Sequence, residues 1–111
     1  MLEKIFGNKT LAMIFLNLYH YGEVYSGLIE KNIDTGSRAI LNQLSKMEEA
    51  GIFVSRSVGR TRLYTFNPKS PFVKPIKKII EIVYSNLSIK QKEKMFKERV
   101  RPRAKGKEII K

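Results

Sequence analysis

The 111-residue chain contains no cysteine. That absence excludes a disulfide framework, thiolate metal sites and cysteine nucleophiles together. Histidine is nearly as scarce, with His20 standing alone between two tyrosines. One imidazole and ten acidic side chains leave no Ser/His/Asp set and no metal-spaced cluster to assemble. An enzyme is therefore not expected, nor is a metal or any cofactor. A long apolar run is missing as well. The longest early one, residues 11–16, ends at Asn17, far short of the roughly 20 residues that span a bilayer. No small-residue cleavage site accompanies it, so the expected compartment is cytoplasmic and no membrane partner is expected. Gly7-Asn8-Lys9-Thr10 resembles the tail of a phosphate-binding loop but lacks the upstream glycine and strand. It reads better as the start of a helix.

What the chain has in excess is positive charge. Twenty-two basic residues against ten acidic give a net charge of +12, and the excess is polarised along the sequence. Residues 1–34 carry −1, residues 35–66 carry +3, residues 67–89 carry +3, and residues 90–111 carry +7. A field of this sign attracts polyanions, nucleic acid first among them. A merely solubilising basic surface is the plainer alternative.

Apolar periodicity organises the rest. Leu11, Ile14, Phe15, Leu18 and Tyr19 recur at helical steps over residues 8–21, predicting a helix with one buried face that Gly22 closes. Residues 23–25 read as a single extended rung, and Ser26 as the cap of a short helix with Leu28 and Ile29 inward. Asp34 or Thr35 is the expected N-cap of the next helix, which places Ile40, Leu41, Leu44 and Met47 on one stripe and ends at Ala50-Gly51. Its other face presents Ser37, Arg38, Asn42, Gln43 and Lys46, donors and acceptors suited to base edges and phosphates. The same side chains would also suit a plain solvated helix face.

"VSRSVGRTRLYTF", residues 54–66, alternates on both sides of Gly59-Arg60 and predicts a β-hairpin with a two-residue turn. Glycine would take the positive φ at the first turn position, with Arg56, Arg60 and Arg62 around the tip. The strand register, and so the face of each arginine, stays open at this level. Further on, a helix is expected from near Pro75, because proline removes a hydrogen bond from a helix already running. Ile76, Ile79, Ile80, Val83 and Leu87 form its stripe, with Ile82 and Tyr84 apolar outside it. A helix apolar over more than half its circumference buries both sides, one on its own domain and the other on a second subunit. The candidate dimer contacts are Ile76, Ile79, Ile80, Ile82 and Val83; full burial within the monomer is the alternative. Ser88-Ile89-Lys90-Gln91 reads as a capping box opening a short helix to about Val100, with Ile89, Met95, Phe96 and Val100 inward. Residues 101–111, basic and interrupted by Pro102 and Gly106, are expected to form a mobile arm.

Two helices across a tight turn, then a hairpin with an arginine tip, resemble the winged helix-turn-helix transcriptional regulators of the ArsR/MarR-like kind. The residues that carry the likeness run from Ser26 to Pro68, and within them "NIDTGSRAILNQLSKMEEAGIFVSRSVGRTRLYTFNP" is similar to the family's turn, recognition helix, helix end and wing; the resemblance covers residues 5–84 well and the last quarter loosely. Met47 stands where leucine is more usual in that helix end, a volume-conserving exchange. The resemblance implies a mainly α fold with a small β-hairpin wing (α+β), a winged helix-turn-helix with additional C-terminal helices. Residues 1–68 would be the DNA-binding domain, 69–100 the helices of a homodimer interface, and 101–111 the basic tail. It implies double-stranded DNA as partner, through Thr35, Ser37, Arg38, Asn42, Gln43 and Lys46 of the helix and Arg56, Arg60, Thr61 and Arg62 of the wing. The expected function is transcription regulation, a dimeric repressor acting by occlusion. The thiolate metal sensing common among ArsR relatives cannot operate without cysteine, and no effector is identified. A basic winged helix associated with RNA or the ribosome, or an adaptor for an acidic protein partner, are the alternatives.

Overall fold

A computed structural model describes residues 1–33 and 35–97. The expected capping by Asp34, burial of Val100 and mobile arm 101–111 lie outside the described residues. The elements are α1 (Leu2–Phe6), α2 (Lys9–Tyr21), α3 (Ser26–Asn32), α4 (Ser37–Glu49), β1 (Phe53–Val58), β2 (Thr61–Phe66), α5 (Val73–Ser85) and α6 (Ile89–Met95). The described residues are mainly helical, with one two-stranded antiparallel hairpin among them. No helix among the described residues is long and apolar enough to cross a membrane.

α2 is the hub. The Asn8 side chain accepts the Leu11 N–H at 2.9 Å, as an N-cap should, and Gly22 closes the helix at φ 83 with its N–H on the Leu18 carbonyl. Leu11, Ala12, Ile14, Phe15, Leu16, Asn17 and Leu18 are all buried, so the helix is covered on nearly every side rather than on one face. The reason is that α1, α4, α5 and β2 all pack against it. α1, which no periodic signal announced, adds Leu2 to the core and Phe6 edge-on to Phe15 at 5.0 Å.

The extended rung at residues 23–25 is present. Val24 and Tyr64 exchange backbone hydrogen bonds at 3.0 and 2.8 Å, which ties the entry to α3 onto β2. α4 starts one residue later than a Thr35 cap would require. Gly36 occupies the N-cap, and among the described residues no side chain caps the helix. Ile40 and Leu44 are fully buried and Met47 half-buried, but Leu41 is 48% exposed and leaves the expected stripe, turned about 100° from Ile40. The helix ends in a Schellman motif, with Gly51 at φ 78, its N–H on the Glu48 carbonyl and the Ile52 N–H on that of Met47.

The hairpin turn has two residues, and Gly59 takes the expected positive φ of 63. Phe53 and Tyr64 turn inward, and Phe53, Phe66 and Phe15 form an aromatic cluster with centroids 5.7 to 6.1 Å apart. α5 begins at Val73, two residues before the expected start. Pro75 is its third residue, where the N–H has no intrahelical acceptor anyway and its loss costs nothing. Val73 and Ile80 belong to the same core as α2, so residue 68 marks no break in packing. At α6 the capping box forms as expected, the Gln91 N–H reaching Ser88 Oγ at 3.1 Å and the Ser88 N–H reaching Gln91 Oε1 at 2.8 Å. Ile89 is exposed rather than inward, because α6 meets the core only at its far end, through Met95 and Phe96.

Candidate nucleic-acid interface

The outward face of α4 is set by what its inward face must bury. With Ile40 and Leu44 in the core, Ser37, Arg38, Leu41, Asn42, Ser45 and Lys46 turn to solvent. Arg38, Asn42 and Lys46 make no side-chain hydrogen bond or ion pair with any other described residue. Thr35 and Gln43 are half-buried and flank this face rather than crown it. Leu41 and Ser45 belong to it and were not among the expected contacts. Ser45 was legible as the i+3 neighbour of Asn42, whereas Leu41 was drawn to the core stripe by its chemistry.

The pairing Val58↔Thr61, Ser57↔Arg62 and Arg56↔Leu63 decides the arginines. Arg62 shares a face with Ser55, Ser57 and Tyr64, while Arg56 shares the opposite face with Val54, Val58 and Leu63. Each is held by a carboxylate. Arg56 donates to Glu23 Oε2 through Nη2 at 2.9 Å and Nε at 3.2 Å. Arg62 donates to Ser55 Oγ at 2.7 Å and lies 3.9 Å from Glu48, whose carboxylate also accepts the Ser55 hydroxyl at 2.5 Å. The three arginines at the hairpin tip are therefore not equivalent. Arg60, at the turn, is the one arginine of the hairpin without a partner among the described residues, and Thr61 beside it is exposed.

These ion pairs are partly solvated, and such pairs contribute about 0–1 kcal/mol each. A phosphate oxygen is an equivalent acceptor, so Arg56 and Arg62 can exchange carboxylate for phosphate at small cost. Their present contacts also do structural work. Ser55, Glu48 and Arg62 clasp the hairpin to the last turn of α4, which fixes the angle between helix and hairpin. The same carboxylate lies near Tyr64, whose phenol is raised above its ordinary value by burial first, then by Glu48, against an opposing pull from Arg62. No family model and no curated protein matches the chain.

On α5, the candidate dimer residues separate. Ile80 is fully buried within its own subunit and is corrected from interface to core; Ile76, Ile79 and Val83 are partly buried and pack against that core. α5 packs on α2, and that is what covers them. Only Ile82 of the five stands clear, at 65% exposure. Among the described residues no group of three or more His, Asp or Glu side chains could hold a metal ion.

Proposed function

We propose that the chain is a sequence-specific double-stranded DNA-binding protein of the winged helix-turn-helix type, a cytoplasmic transcriptional regulator that represses by occluding its site. The observation that carries this reading is the unpartnered face of α4, where Arg38, Asn42 and Lys46 are exposed together with Ser37, Leu41 and Ser45. Arg and Asn are the side chains that read guanine and adenine edges in the major groove, and an aliphatic group beside them suits a thymine methyl. Arg60 at the tip of a hairpin clasped to that helix supplies the flanking cation, suited to phosphate or a narrow minor groove. The net charge of +12 adds the sequence-independent attraction. Two copies on neighbouring half-sites form part of the proposal, with Ile82 as the free contact on α5.

Selection from a pool of random-sequence duplexes tests the reading. Enrichment of a common motif, bound more tightly than its scrambled version at equal salt, is the expected result. Equal binding of all duplexes, or stronger binding of structured RNA than of any duplex, overturns it.

A further inference from the structure

One edge of β2 is only partly paired. Tyr64 gives its N–H and its carbonyl to Val24, on the side of β2 away from β1. Backbone groups alternate between the two edges of a strand, so Phe66, two residues on, turns its own N–H and carbonyl to that same side. The register of the Val24–Tyr64 rung puts Gly22 opposite Phe66. That pair does not form. Gly22 leaves the extended conformation at φ 83 and commits its N–H to the Leu18 carbonyl, closing α2. The Phe66 N–H is left without an acceptor among the described residues, and a backbone donor seldom stays unpaired. An added strand cannot supply one, because residues 22–24 already run along this edge.

Where the ladder stops, a cleft of about 200 Å³ opens, lined by Leu18, Tyr19, Gly22, Thr65, Phe66 and Lys77. It is smaller than the roughly 300–1,000 Å³ of drug-sized sites, which limits an occupant to a small molecule. Leu18 and the Phe66 ring supply apolar surface. Every polar side chain of the lining can donate: the Lys77 ammonium, 5.6 Å above the Phe66 ring, and the hydroxyls of Tyr19 and Thr65. None of the three makes a side-chain hydrogen bond or ion pair with another described residue. Burial first, then Glu81 and Tyr84, raise the Tyr19 phenol, which stays protonated and able to donate. Glu81 is the acid that this phenol feels, and its charge limits how tightly an anion is held nearby. One ammonium, two hydroxyls and one backbone N–H thus surround a small, partly apolar space.

We propose that this cleft binds a small carboxylate with a compact apolar body, its oxygens accepting from the Lys77 ammonium and the Phe66 N–H and its body lying on Leu18 and the Phe66 ring. The Tyr19 and Thr65 hydroxyls are the further donors. A hydrogen bond between ammonium and carboxylate is charge-assisted, so charge more than shape selects the ligand. Thr65 shares its face of the hairpin with Val54, opposite the face of Ser55 and Arg62 that is clasped to α4. The site therefore stands apart from the DNA-binding reading, and its test uses no DNA.

Hexanoate is the probe, and hexanamide, close to it in shape but uncharged, is the control. The full chain is titrated with each through the millimolar range while its backbone amide resonances are followed by NMR. Hexanoate should shift the Phe66 amide, with those of Gly22 and Thr65, along a saturating curve. Hexanamide should bind about tenfold more weakly or not at all. Lys77→Gln should remove the preference for the acid. Lys78→Gln makes the same change of charge one residue away, outside the cleft, and should keep that preference, which separates a site from the general attraction of a +12 chain. Both lysines are exposed and neither is paired with a carboxylate among the described residues, so both variants should fold, with their other resonances in place. A Phe66 amide that hexanoate leaves unmoved overturns the site. Equal binding of acid and amide, or equal losses in Lys77→Gln and Lys78→Gln, overturns the assignment of a carboxylate to it.

Discussion

Arg38→Ala isolates the proposed reading role of α4, because the Arg38 side chain makes no bond to any other described residue. Arg38 is the second residue of α4, exposed, with no bond to any other described residue. Removing it should change folding stability by no more than about 0.5 kcal/mol, as for surface positions without special contacts. Any lost affinity is then a property of the interface. A bidentate contact to a guanine edge discriminates by about 1–3 kcal/mol. At 1.4 kcal/mol per tenfold, the variant should bind the selected duplex about 5- to 140-fold more weakly. On a scrambled duplex only backbone attraction remains to be lost, so the decrease there should be several-fold smaller. Arg38→Lys sharpens the comparison, because it keeps the charge but not the planar fork. It should bind scrambled duplex like the unmodified protein and still lose most of its discrimination. Fluorescence anisotropy titrations of all three proteins on both duplexes at one salt concentration provide the measurement. Equal losses on the two duplexes for Arg38→Ala would refute base reading and reduce Arg38 to a phosphate contact.

The two isoleucines of α5 should behave oppositely. Ile80→Ala, in a fully buried position, should lower stability by about 2–5 kcal/mol in urea, whereas Ile82→Ala, which keeps only a third of its surface covered, should cost less than about 1 kcal/mol. Ile82→Glu should stay folded and be monomeric by light scattering at a concentration where the unmodified chain is dimeric; a monomeric unmodified chain would remove the dimer from the proposal. In the hairpin, Arg60→Ala should weaken duplex binding and reduce the salt slope by about 0.9 per lost phosphate contact, while Arg56→Ala should change it less, because Arg56 must first leave Glu23. A larger effect at Arg56 would show that its carboxylate partner is released on binding and that Arg60 is idle. His20 is held below the ordinary histidine value of 6.5 by burial first and by the Lys92 ammonium second. The unfolded chain thus takes up its proton at higher pH than the folded one, so this contribution to stability is present above pH 6.5 and is lost as pH falls through the folded-state value. Urea midpoints should decline over that window, and His20→Gln should flatten the decline; midpoints that rise on acidification would contradict it.

The elements that were legible in the sequence are those in which local chemistry and burial agree. Asn8, Gly22, Gly51, Gly59 and Ser88 each stand where the backbone requires their particular cap or φ, and each marks its boundary correctly. Sequence reasoning failed where packing chose among chemically equivalent residues. Leu41 and Ile40 are indistinguishable by hydrophobicity, yet only one of two adjacent positions on a helix can face α2. Ile80 and Ile82 pose the same question on α5. The excess apolar surface that suggested a second subunit was in large part absorbed by α2, whose own near-complete burial was the missing fact.

The arginines of the hairpin mark a finer boundary between what was legible and what was not. Once Gly59-Arg60 is taken as a two-residue turn, Val58 must pair with Thr61, and Arg56 with Leu63. Paired residues share a face and successive residues alternate, so Arg56 and Arg62 must lie on opposite faces. That conclusion follows from parity alone. What parity cannot supply is a partner. Glu23 lies 33 residues before Arg56, and it meets that arginine because the Val24–Tyr64 rung draws its segment alongside the hairpin. Glu48 reaches Ser55 and Arg62 because the Schellman turn folds β1 back against the last turn of α4. Both carboxylates reach their arginines through backbone geometry that no spacing in the sequence displays. The proposed recognition then has a specific form: the two strand arginines are already oriented by carboxylates, and on the DNA-binding proposal the tip arginine finds its contact only on the duplex.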